Sequence, residues 1–71
     1  MAKFFVTYGS GTNLANCYSA IEADSYDQAR QKAFEVTEGR FAFMYDEWQF
    51  KGQPERYNLT EVELQPQRRI E

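Results

Sequence analysis

Apolar and polar positions alternate along the first part of the chain. From Lys3 to Tyr8, Phe4, Val6 and Tyr8 share one side, with Phe5 and Thr7 on the other. A period of two in β-prone residues predicts a strand. The run Gly9-Ser10-Gly11-Thr12-Asn13, closed by Asn16, breaks the pattern. It resumes over Cys17 to Ala23, with Cys17, Ser19, Ile21 and Ala23 facing one way and Tyr18, Ala20 and Glu22 the other. Two such runs around a Gly- and Asn-rich loop predict a hairpin.

The period then lengthens. Ser25 stands three residues before Gln28, the spacing of a capping box, in which each side chain satisfies an otherwise orphaned backbone N–H. Helix formers continue to Glu38, and Gly39 stands where a helix C-terminus favours a residue that tolerates positive φ. Tyr26, Ala29, Ala33 and Val36 recur at helical spacing and form one stripe, with Phe34 beside it.

Arg40 to Tyr45 predicts a third strand, with Phe41, Phe43 and Tyr45 opposite Ala42 and Met44. Asp46 and Gln49 repeat the capping-box spacing and predict a short helix through Phe50, interrupted by Gly52 and Pro54. A turn over Glu55 to Asn58 leads to a last strand from Leu59 to Leu64, and Gln65 to Glu71 reads as a frayed tail. The expectation is one α+β domain over 1–65 with a frayed tail over 66–71. Its order is β-β-α-β-(short α)-β: a four-stranded, antiparallel-rich sheet with one main helix on one face.

In that arrangement Phe4, Val6, Tyr8, Ile21, Phe41, Phe43, Val62 and Leu64 pack against Ala29, Ala33 and Val36. The opposite face would carry Phe5, Tyr18, Ala20, Ala42 and Met44, with Glu61 and Glu63 at one edge. Either that face is an interaction surface, a homodimer included, or the segment around Trp48 or the tail folds over it.

Composition narrows the chemistry. Aromatic residues make up 17% of the 71 residues, so a few large rings can supply the thin core of a small domain. There is no histidine and only one cysteine, Cys17. An intramolecular disulfide and a Cys-rich zinc site are therefore excluded, and the commonest general base is missing. The net charge of −3 comes without an evident basic patch, which argues against direct nucleic-acid binding. No apolar run approaches the roughly 20 residues of a membrane helix. A cytoplasmic, non-membrane protein is expected.

Candidate catalytic groups are few. Cys17 lacks an activating base, Asp46 already has a capping role, and Glu61 and Glu63 occupy alternate positions of a strand, the pattern of a solvated face. The glycine loop lacks the lysine and following helix of a phosphate-cradling loop, so a hairpin turn is the better reading. Catalytic residues, metal and cofactor are all expected to be none. Exposed Phe5 and Tyr18 could stack bases of a single strand, but the neighbouring glutamates disfavour it.

The run Ile21-Glu22-Ala23-Asp24-Ser25-Tyr26-Asp27-Gln28-Ala29-Arg30 resembles segments of very small phage and prophage proteins. Phe41-Ala42-Phe43-Met44-Tyr45-Asp46-Glu47 and Glu55-Arg56-Tyr57-Asn58-Leu59-Thr60-Glu61-Val62 are similar to them too. Some proteins of this size and order are anti-CRISPR or other anti-defence factors, which lack catalytic residues and block a host immune complex by occupying its surface. The resemblance implies a non-enzymatic inhibitor in a bacterial host cell whose partner is a host protein complex, such as a CRISPR effector. Its modest charge favours occlusion over mimicry of DNA. Phe5, Tyr18, Met44 and Trp48 are the expected apolar anchors, and Asp46, Glu47, Glu61 and Glu63 the polar rim. The alternatives are a self-assembling homodimeric phage accessory protein, a single-stranded nucleic-acid binder and, last, a small enzyme.

Overall fold

The computed structural model describes residues 2–69. Strand β1 (Ala2–Thr7) pairs antiparallel with β2 (Cys17–Ala23), as the two alternating runs predicted. Helix α1 (Tyr26–Thr37) follows, with the Ser25 side chain accepting the Gln28 N–H at 3.2 Å. Strand β3 (Phe43–Asp46) pairs antiparallel with β1 on its other side. Two short helices, α2 (Glu47–Phe50) and α3 (Gln53–Arg56), lead to β4 (Thr60–Glu61), which lies parallel to β2. The sheet order is β3-β1-β2-β4, so the fold is the expected small α+β arrangement with a mostly antiparallel, mixed sheet.

This order explains how both faces become covered. Strands β2, β3 and β4 all run antiparallel to β1, and parallel strands can be joined only by a crossover. The first crossover carries α1 over one face. The second leaves β3 at one edge and must reach β4 at the other, so α2 and α3 pass over the opposite face. The helix-covered core contains Phe4, Val6, Tyr8, Leu14, Ile21, Ala23, Ala29 and Ala33, with Phe41, Met44, Val62 and Leu64 packed against it.

Several expectations are corrected. Met44 pairs with Val6 and points to the α1 side, whereas Tyr45 pairs with Phe5 and faces away. Phe43, assigned to the core, is 64% exposed. Apolar residues occupied both sides of this strand, so alternation alone could not choose a face, and a one-residue offset reverses all of them. The bend at Ala42 separates Phe41, which packs edge-on to Phe34, from the strand proper.

On α1, Thr37 is buried and Val36 is half exposed. The buried line runs Ala29, Ala33, Thr37, four residues apart, and the Thr37 hydroxyl is satisfied by donating to the Ala33 carbonyl. The left-handed cap residue is Glu38 at φ 56°, followed by Gly39 at φ 79°. Helix α2 ends at Phe50, as expected; Gly52, at φ 82°, also caps the start of α3, and Pro54 sits in its first turn, where its missing N–H costs nothing. Leu14 was read as loop yet is buried in the core.

The tail is not frayed over its described part. Gln67 N–H donates to the Arg40 carbonyl at 3.2 Å, and Asn13 and Arg68 exchange bonds of 2.8 and 2.7 Å. Arg69 bridges Thr12. Ile70 and Glu71, also assigned to that tail, lie outside the described residues.

A chain of hydrogen bonds, buried at its Tyr8–Ser19 link and part-buried elsewhere, holds the C-terminal segment to the sheet. The Gln65 N–H donates to the Tyr8 hydroxyl, and the Ser19 hydroxyl donates to the Val62 carbonyl at 2.8 Å. Ser19 has only one proton to give, so the 2.7 Å bond between Tyr8 and Ser19 must be donated by Tyr8.

Candidate functional site

The site grows from the face that α1 leaves free. Phe5 on β1 and Tyr18 on β2 point outward there, their ring centroids 6.0 Å apart. Tyr45 joins them from β3, directly across from Phe5. Three rings on a sheet face leave a large apolar area to cover, and α2 covers part of it. Asp46 closes β3 and caps α2 at the same time, accepting the Gln49 N–H at 2.6 Å while the Gln49 side chain accepts the Asp46 N–H. This reciprocal cap fixes the direction in which the short helix leaves the strand.

That direction sends Phe50 down onto the three rings. Its centroid lies 4.7 Å from Phe5, 5.1 Å from Tyr18 and 5.7 Å from Tyr45, and the side chain is buried. Trp48, two residues earlier, projects from another side of the same turn and is 80% exposed. The Lys51 ammonium lies 5.3 Å from its ring centroid, within cation–π range. The second face is thus neither fully open nor fully closed.

What remains is a groove of about 580 Å³. Phe5, Tyr18, Phe50 and Pro54 supply apolar wall, Trp48 stands beside them, and Glu47, Lys51, Gly52 and Glu55 complete the lining. Glu61 on β4 accepts a 3.3 Å hydrogen bond from the Tyr18 hydroxyl. Burial of Tyr18, followed by the nearby Glu61 and Glu55 carboxylates, raises its pKa above the ordinary phenol value. Tyr18 therefore stays a neutral donor across the physiological range.

Of the eight residues expected to form the site, Phe5, Tyr18, Glu47 and Trp48 line the groove. Glu61 joins them through Tyr18. Asp46 positions α2 by capping and does not line the groove. Met44 lies on the opposite side of the sheet, and Glu63 is exposed beyond the end of β4. The alternation pattern missed Phe50, Pro54, Lys51 and Glu55. Phe50 had a usable signal: an aromatic residue ending a capped single-turn helix beside a strand with unmatched aromatic residues.

The arrangement offers an aromatic floor, an exposed ring and flanking carboxylates. Such a surface suits an apolar segment carrying a cationic side chain, since both the ring faces and the carboxylates attract positive charge. Among the described residues, no three potential metal-ligating side chains converge. No helix among them is long and apolar enough to cross a membrane. No family model, curated protein or solved structure matches the chain.

Proposed function

We propose that this protein is a non-enzymatic binding module that attaches to a partner protein through the groove between β1, β2 and the α2–α3 crossover. The observation that carries this reading is Trp48. A side chain this large, 80% exposed beside a buried aromatic floor, contributes little to its own fold and much to an interface. The complementary partner segment presents an apolar residue to the Phe5, Tyr18 and Phe50 wall. A neighbouring arginine or lysine then meets the Trp48 ring and the Glu47 and Glu55 carboxylates.

The narrower proposal, an anti-CRISPR-like inhibitor encoded by a phage and acting on a host defence complex, rests on the resemblance to small phage proteins. The groove is compatible with it because occlusion needs a docking surface and no catalytic group.

Two experiments separate these levels. A photo-crosslinking residue at position 48 should capture a specific protein in bacterial lysate, while one at position 34, on the outer side of α1, should not. Capture only from position 34 would overturn the groove assignment. Expression in a CRISPR-immune host should restore phage plating, and Trp48→Ala should lose that effect. Unchanged immunity against phage, despite specific capture at position 48, would remove the anti-defence reading and leave the binding module. A dimer in light scattering that Trp48→Ala dissociates would make the partner a second copy.

A further inference from the structure

A second cavity, of about 630 Å³, lies where the β1–β2 loop meets the C-terminal segment, and it shares no lining residue with the groove. One side is formed by Gly9 to Thr12 and the other by Arg40, Arg68 and Arg69. These arginines come from two distant parts of the sequence, which is why no basic patch was visible along the chain. The backbone brings them together. Gln67 N–H binds the Arg40 carbonyl, its side-chain oxygen accepts the Gly9 N–H at 2.7 Å, and Arg68 and Arg69 are zipped to Asn13 and Thr12.

We propose that this cavity binds the phosphate group of a small anion. All of the bonds that bring the arginines together use backbone or amide groups, so the construction does not consume the guanidinium donors. Guanidinium forks match phosphate oxygens bidentately and remain charged at any physiological pH. No carboxylate lines the cavity among the described residues. The Ser10 hydroxyl adds a neutral donor on the loop side, whereas the Thr12 hydroxyl is already engaged with the Gly9 carbonyl at 2.7 Å.

The charge distribution favours a compact anion over a long nucleic-acid strand. Three of the eight cationic residues frame this cavity; among the described residues the other five stand with ten of the eleven carboxylate side chains, Glu71 lying outside them. A strand leaving the cavity would run onto an acidic protein. A mono- or diphosphate would place all its charge among the arginines.

The test is titration of the isotope-labelled protein with sodium pyrophosphate at constant ionic strength, followed by amide NMR. Saturable shifts confined to Ser10–Thr12, Arg40, Gln67 and Arg68 are expected. Arg40→Gln and Arg69→Gln should each weaken binding on the order of tenfold, equivalent to about 1.4 kcal/mol. Their spectra elsewhere should match the parent, because the positioning bonds belong to the backbone. Arg40→Lys should recover part of the affinity, and Trp48→Ala should leave it unchanged. Shifts that reproduce those of sodium chloride, or equal affinity in the double Arg40→Gln, Arg69→Gln variant, would overturn the site. A short oligothymidylate that binds more tightly than pyrophosphate would overturn the small-anion assignment in favour of a strand.

Discussion

Phe50 lies face to face on Phe5, with centroids 4.7 Å apart and planes 14° from parallel. This contact joins the second crossover to the strand beneath it and turns an exposed sheet face into a groove. Truncation should therefore act on stability and on the groove together. Phe50→Ala is expected to cost about 3–5 kcal/mol, the range for a buried aromatic residue. A domain of this length has roughly 4–10 kcal/mol in total, so the variant should be partly unfolded near room temperature. Urea denaturation followed by circular dichroism measures this. A loss below about 1 kcal/mol would show that α2 does not cover the sheet in solution.

Trp48 should behave in the opposite way. It shares the turn with Phe50 but packs on little besides Lys51. Trp48→Ala should change stability by no more than about 0.5 kcal/mol, as exposed substitutions usually do. Since it is the sole tryptophan, its fluorescence reports on this position alone. Emission should already be red-shifted in the native state and readily quenched by acrylamide. A blue-shifted, protected emission would mean that the ring is covered.

Ser19 tests the attachment of the C-terminal segment. Its hydroxyl is buried, accepts from Tyr8 and donates to the Val62 carbonyl. Ser19→Ala leaves both partners without that bond and should cost about 1–3 kcal/mol. Hydrogen exchange should show the segment from Thr60 to Gln65 opening more readily than α1. Uniform acceleration of all amides instead would show that the segment has no separate opening.

Tyr18 gives a pH prediction with a definite sign. Its native pKa is raised, by burial first and then by Glu61 and Glu55. The native state therefore holds this proton to higher pH than the unfolded chain does. The associated stabilisation is complete below the ordinary phenol value of about 10 and is lost as pH rises through the native value. Subtracting the tyrosinate absorbance titration of Tyr18→Phe from that of the parent should leave a component with its midpoint above about 10. Glu61→Gln should lower that midpoint without restoring the ordinary value, since burial remains. A midpoint at or below about 10 in the parent would contradict the proposed environment.

The sequence by itself determined the elements whose causes are local. Alternation placed β1 and β2, and the Ser25 and Asp46 caps placed the starts of α1 and α2, because a cap needs only residues three positions apart. It also placed Phe5, Tyr18 and Glu61 on one common face. Tertiary structure decided what depends on distant partners. The face of β3 was open because both sides of that strand are apolar, and only pairing with β1 turned Met44 inward and Tyr45 outward. Whether the second face stayed exposed depended on the route from β3 to β4. The parallel pairing of β4 with β2 forced that route across the sheet and set Phe50 on Phe5. The arginine-framed cavity had only the adjacent pair Arg68-Arg69 as a signature in the sequence, because Arg40 meets that pair only after the C-terminal segment pairs back onto the first loop. Local chemistry sets each element, while long-range pairing sets which side chains share a surface, and function depends on the shared surfaces.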